Sequence, residues 1–119
     1  MKRVLWISRH EMTPPQLADL ERALGDTVEL LLWTKTVESA EELIGPLKKA
    51  DAAAAVLPAE LLAELLRVAG KKPVLLAVSA RRATGRTRTL PDGRREEEFV
   101  FVHRGWRQLL RLELETRAL

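Results

Sequence analysis

The chain has 119 residues, of which 46% are hydrophobic, and a formal net charge of +3. That length fits one domain over residues 1–119, and that apolar fraction builds a core without recourse to disorder or a disulfide scaffold. Cysteine is absent, which excludes disulfides, thiolate metal ligands and thiol nucleophiles and suits a reducing compartment.

The N-terminal apolar run breaks at Ser8-Arg9-His10. It is too short for a signal core or a membrane span, so a cytoplasmic protein with no membrane partner is expected. Arg3 to Ser8 reads as a strand whose continuous apolar run, Val4-Leu5-Trp6-Ile7, fits burial on both faces. Thr13 as N-cap, Pro14 at the first helical position and Gln16 in a capping box open a helix that Gly25 ends. Val28 to Trp33 is a second strand. Val37 to about Lys49 is a helix, bent at Gly45-Pro46. Ala52 to Leu57 is a third strand, Pro58 to Gly70 a helix, and Pro73 to Ser79 a fourth strand. Strands alternating with helices predict an α/β fold, Rossmann-like and three-layered, with a mainly parallel sheet.

After Ser79 the pattern changes. Thr84 to Leu90 and Arg95 to Val102 flank Pro91-Asp92-Gly93, which predicts a C-terminal β-hairpin. Trp106, Leu109 and Leu110 fit a short helical turn. Leu110, Leu112 and Leu114 alternate with charged residues, the period of a final half-exposed strand.

In an open α/β sheet, ligands bind beyond the carboxyl ends of the parallel strands. Strand one ends in Ser8-Arg9-His10. Strand four is expected to end in Ser79-Ala80-Arg81-Arg82, with Thr84 following. The helix start capped by Thr13 is expected to add unpaired backbone N–H groups. Ser8, Arg9, His10, Thr13, Ser79, Arg81, Arg82 and Thr84 are therefore the candidate anion-binding residues. Arginine-rich stretches also occur as merely solvated faces. His10 reads either as an acid or base near neutral pH or as a loop-fixing residue. Arg9 reads as a ligand contact or as an ion-pair partner of Glu11, and Ser8 as a ligand contact or a local backbone cap. His103 reads as structural. No Gly-x-Gly-x-x-Gly or Walker lysine loop occurs, and the only two histidines lie far apart. No metal or cofactor is expected.

A hydrophobic first strand running into Ser8-Arg9-His10-Glu11-Met12-Thr13, then Gln16 and a short helix, resembles small stand-alone ring nucleases. These are CRISPR-associated, single-domain relatives of the CARF (CRISPR-associated Rossmann-fold) sensors. The resemblance is clearest over residues 3–24. It implies a homodimer that binds cyclic oligoadenylate, most often cyclic tetra-adenylate, and linearises it to switch off type III CRISPR signalling. No other stable protein partner is expected. It also implies a metal-independent phosphodiesterase in which a ribose 2′-hydroxyl attacks the adjacent phosphorus. Ser8, Arg9 and His10 would be catalytic, with Ser79 and Arg81 or Arg82 assisting. A non-catalytic sensor of the same ligand, a linear nucleic-acid-binding domain and a structural subunit are the alternatives.

Overall fold

The computed structural model describes residues 1–119. Its nine elements run β1 (Lys2–Ile7), α1 (Pro14–Leu24), β2 (Val28–Trp33), a 3-10 turn (Ala40–Leu43) leading into α2 (Ile44–Lys48), β3 (Ala52–Ala55), α3 (Ala59–Ala69), β4 (Val74–Thr89) and β5 (Arg95–Leu109). All five strands form one sheet in the order β2-β1-β3-β4-β5. The first four are mutually parallel and β5 is antiparallel to β4. The chain is thus α/β with a mostly parallel mixed sheet, and no helix is long and apolar enough to cross a membrane.

Alternation along the central strands divides the core into two layers. Leu5 and Ile7 of β1 join Ala53, Ala55, Leu43, Leu47 and Leu65 on the face covered by α2 and α3. Val4 and Trp6 join Ala52, Ala54, Leu75 and Leu20 on the face covered by α1. Burial on both faces is why β1 reads as an unbroken apolar run. The four alanines of β3 are all buried and leave room for bulkier neighbours.

Several boundaries differ from the sequence reading. Helix formation in the second crossover begins at Ala40, because Ser39 caps there with Glu42 in a capping box, and only Ile44–Lys48 is α-helical. The third strand stops at Ala55, short of the expected Leu57. The fourth strand does not end at Ser79. It continues for 16 residues to Thr89, because Ala80-Arg81-Arg82-Ala83 contains no turn former and β5 lies opposite it throughout. The expected hairpin is therefore the distal half of a longer one. Trp106 and Leu109 belong to β5 rather than to a helical turn, and residues 110–119 form no strand. An extra residue at Arg104 interrupts the β4–β5 register between the Val78–Gly105 and Ser79–His103 pairs. Gly105 follows it at φ 154°, a backbone angle that favours glycine.

Three side-chain contacts tie β5 to the α1 layer. The Trp106 indole N–H donates to the Gln16 carbonyl at 2.9 Å, and the Trp106 ring meets Trp6 edge-on at 6.0 Å. His103 Nε2 lies 2.9 Å from Asp19 Oδ2.

Candidate functional site

A cleft of about 210 Å³ opens at the carboxyl ends of the parallel strands, lined by Ser8 and Arg9 after β1, Lys35 and Thr36 after β2, and Val56 to Pro58 after β3. The chain leaves β1 for β2 on one side and later returns to β3 on the other. This is a topological switch point, where diverging connections leave a crevice. Its walls are fixed by backbone hydrogen bonds: Ser8 N–H donates to the Trp33 carbonyl at 3.2 Å, and Val56 N–H donates to the Ile7 carbonyl at 2.9 Å.

Charge in the cleft is of one sign. Arg9 and Lys35 are its only ionisable lining residues, and neither belongs to any ion pair in the chain. The alternative of an Arg9–Glu11 salt bridge is therefore not realised. The Lys35 ammonium sits 5.9 Å from the centre of the Trp33 ring, which restrains the stem without neutralising the charge. Two uncompensated cations over a floor of Ile7, Val37 and Leu61 give the cleft the chemistry that suits an anion with apolar parts.

The loop after β1 is built by local hydrogen bonds. Ser8 is 7% exposed, and its Oγ accepts the His10 N–H at 3.1 Å. The hydroxyl proton stays free to donate. The Trp6 indole N–H donates to the His10 carbonyl at 2.9 Å. The His10 imidazole is exposed and has no hydrogen-bond partner in the chain. It lines a second depression of about 250 Å³, with Trp6, Met12, Leu30 and Thr34, on the other side of Ser8 and Arg9. Ser8 and Arg9 border both hollows. A third and larger hollow, about 400 Å³, lies against Leu31, Leu32 and Pro46, with Lys49 as its sole ionisable residue. The first cleft is set apart by its place at the switch point and its pair of cations.

Thr13 is not free for a ligand. Its Oγ1 accepts the Gln16 N–H and its own N–H donates to Gln16 Oε1, completing the capping box. The next two residues, Pro14 and Pro15, have no N–H, and the Leu17 N–H is bonded to the Thr13 carbonyl. The expectation of unpaired N–H groups at the α1 start is thereby corrected: every donor of that first turn is absent or taken.

Ser79, Arg81, Arg82 and Thr84 line none of the three hollows. Strand β3 separates β4 from β1, and β4 has already left the sheet body at these residues. Arg81 lays its guanidinium over Phe99, 4.0 Å from the ring centre. Thr84 Oγ1 accepts the Arg86 N–H at 3.2 Å and donates to the Glu98 carbonyl at 3.4 Å. Because β4 is parallel to β3 and aligned Leu75 with Ala54, these residues do rise beyond the same edge onto which the cleft opens. Lys35 and Thr36 were not foreseen. Their signal was the one that exposed Ser8 and Arg9, a polar break ending an apolar strand. No protein-family model, curated protein or solved structure matches the chain.

Proposed function

We propose that this chain is a ring nuclease of the CARF-like, Rossmann type. It binds cyclic oligoadenylate, the tetra-adenylate in kind, at the switch-point cleft and linearises it. The observation that carries the reading is the pair of unneutralised cations, Arg9 and Lys35, beside the Ser8 hydroxyl at the carboxyl ends of β1 and β2. The resemblance of residues 3–24 supplies the ligand class.

The chemistry asks for alignment and charge stabilisation. A ribose 2′-oxygen attacks the neighbouring phosphorus and the 5′-oxygen leaves in line, giving a 2′,3′-cyclic phosphate and a free 5′-hydroxyl. One proton is removed from the 2′-hydroxyl and one is delivered to the leaving oxygen. Arg9 and Lys35 offset the charge that builds on the phosphoryl oxygens, and Ser8 holds a phosphate oxygen as donor. His10 lines the adjoining hollow rather than the cleft, so it serves proton transfer only for a ligand that reaches across Ser8 and Arg9, a role worth about 10²–10⁴-fold. Arg81 and Arg82 on the rising strand are secondary contacts for a ligand wider than the cleft. A homodimer supplies two clefts to one ring.

The sensor reading has one observation in its favour: no neighbouring group orients the His10 imidazole, whereas the binding residues are already assembled. The experiment is incubation of the protein with cyclic tetra-adenylate in EDTA, with products separated by chromatography and affinity measured separately. A linear product ending in a 2′,3′-cyclic phosphate is expected. Arg9→Ala is expected to weaken binding and cleavage together, and His10→Ala to slow cleavage at unchanged affinity. An intact ring with measurable affinity supports the sensor, and absence of binding overturns both.

A further inference from the structure

Past Ser79 the β4–β5 hairpin forms an arm that stands clear of the rest of the sheet. Only Val74 and Leu75 of β4 pair with β3, while β4 and β5 stay paired with each other as far as Thr89 and Arg95. The radius of gyration is 17.2 Å, against about 13.5 Å for a compact chain of this length. Two aromatic rings sit on this arm in water: Phe101 is 77% exposed and Phe99 37%.

Residues paired across two strands share a face, as do alternate residues along one strand. Phe99 and Phe101 therefore lie on one face with their partners Ala83 and Arg81, and with the Ser79–His103 pair nearer the sheet body. His103 reaches Asp19 of α1, so this is the α1 side of the sheet. The switch-point cleft has its floor of Ile7, Val37 and Leu61 on the other side, that of α2 and α3. The aromatic face is thus a surface separate from the cleft. Ala83 is too small to cover Phe99, whose ring carries the Arg81 guanidinium 4.0 Å from its centre.

We propose that this face binds linear single-stranded nucleic acid, with bases stacked on the Phe101 ring and on the Arg81–Phe99 pair. Bases stack on aromatic rings and on guanidinium planes alike, and the face offers one of each. Phe99 and Phe101 are two residues apart, about 6.8 Å along the strand, roughly twice the ~3.4 Å step between stacked nucleotides of a duplex. Bases that occupy both positions are unstacked from each other, which a single strand allows and a duplex does not. The charge around the rings suits phosphate. Arg104 and Arg86 belong to the two bulges that bracket them, and neither these nor Arg81 enters any ion pair. Glu97 is the next residue on the face beyond Phe99 and sets the distal limit of the contact. A lipid surface fits less well, because inserting Phe101 strips water from the charge of Arg81 beside it. The proposal stands whether or not the cleft binds a ring.

The experiment is fluorescence anisotropy of the full chain with a short labelled oligouridylate, with a blunt RNA duplex of the same length, and with labelled anionic phospholipid vesicles. Wild type is expected to bind the single strand more tightly than the duplex, with affinity falling as salt rises. Phe101→Ala is expected to lose about tenfold in affinity for the single strand, and Phe101→Trp to keep it. Val100→Ala trims the opposite face of the same strand and is expected to bind like wild type, which separates lost stacking from a loosened arm. Absence of single-strand binding overturns the proposal, as do equal affinity for the duplex, wild-type affinity in Phe101→Ala, or equal losses in Phe101→Ala and Val100→Ala. Binding of vesicles in place of the oligonucleotide overturns it in favour of a lipid surface.

Discussion

Asp19 couples the hairpin to the first helix. It stands 21% exposed, its Oδ2 2.9 Å from His103 Nε2 and its Oδ1 2.7 Å from Arg22. The hydrogen bond from His103, then that from Arg22, hold its carboxyl below the usual carboxylate value. A carboxyl whose folded value is depressed stabilises the fold above its unfolded pKa of about 3.9, and that contribution is lost as pH falls through the lower folded value. Asp19→Asn is therefore expected to lower stability at pH 7. Its deficit against wild type should shrink as pH falls from about 4, where the unfolded carboxyl takes up its proton, through the lower folded value. Urea midpoints for the two proteins between pH 3 and 7 provide the check, and a deficit constant with pH would rule out the charge as its source. Asp26 titrates in the same direction beside the N-terminal amine, but it is common to both proteins and cancels. His103 itself keeps a buried Nδ1 with no partner, so the structural role expected of it is served by one ring nitrogen only.

At the scale of elements, Thr13 distinguishes a cap from a ligand contact. Both halves of its capping box are made, and loss of such a cap costs about 1 kcal/mol. Thr13→Ala is expected to lower stability by that amount, read from the denaturant midpoint, and to leave the affinity for cyclic tetra-adenylate unchanged. A fall in affinity without a fall in stability would return Thr13 to the ligand. The same residue shows why the early elements were legible in the sequence: Thr13-Pro14-Pro15-Gln16 starts a helix and Gly25 stops it through local chemistry alone. β1 announced itself equally by a run buried on both faces. β4 did not, since past Ser79 its residues are polar and what keeps them extended is a partner strand some twenty residues later. Ser8 and Arg9 were legible as a polar break at a strand end. Lys35 and Thr36 carried the same mark, but only the strand order shows that β2, and not β4, is the neighbour of β1. The density of arginines after Ser79 drew attention to residues that line none of the three hollows.

For the whole molecule, strand direction and charge meet in one expectation. β4 runs parallel to β1, β2 and β3, so the distal β4–β5 hairpin projects from the edge where the cleft opens. The homodimer of the proposed function sets two such clefts against one ring. Each cleft brings Arg9 and Lys35, and two clefts bring twice that number, one cation for each phosphate of a cyclic tetra-adenylate. A larger ring would leave phosphates uncompensated, and a linear strand would lack the matching symmetry. Titration calorimetry is expected to give one tetra-adenylate ring per two chains, with affinity falling as salt rises. Cyclic hexa-adenylate should bind more weakly under the same conditions. One ring per chain would mean that a single cleft suffices and that the two-fold match plays no part in recognition.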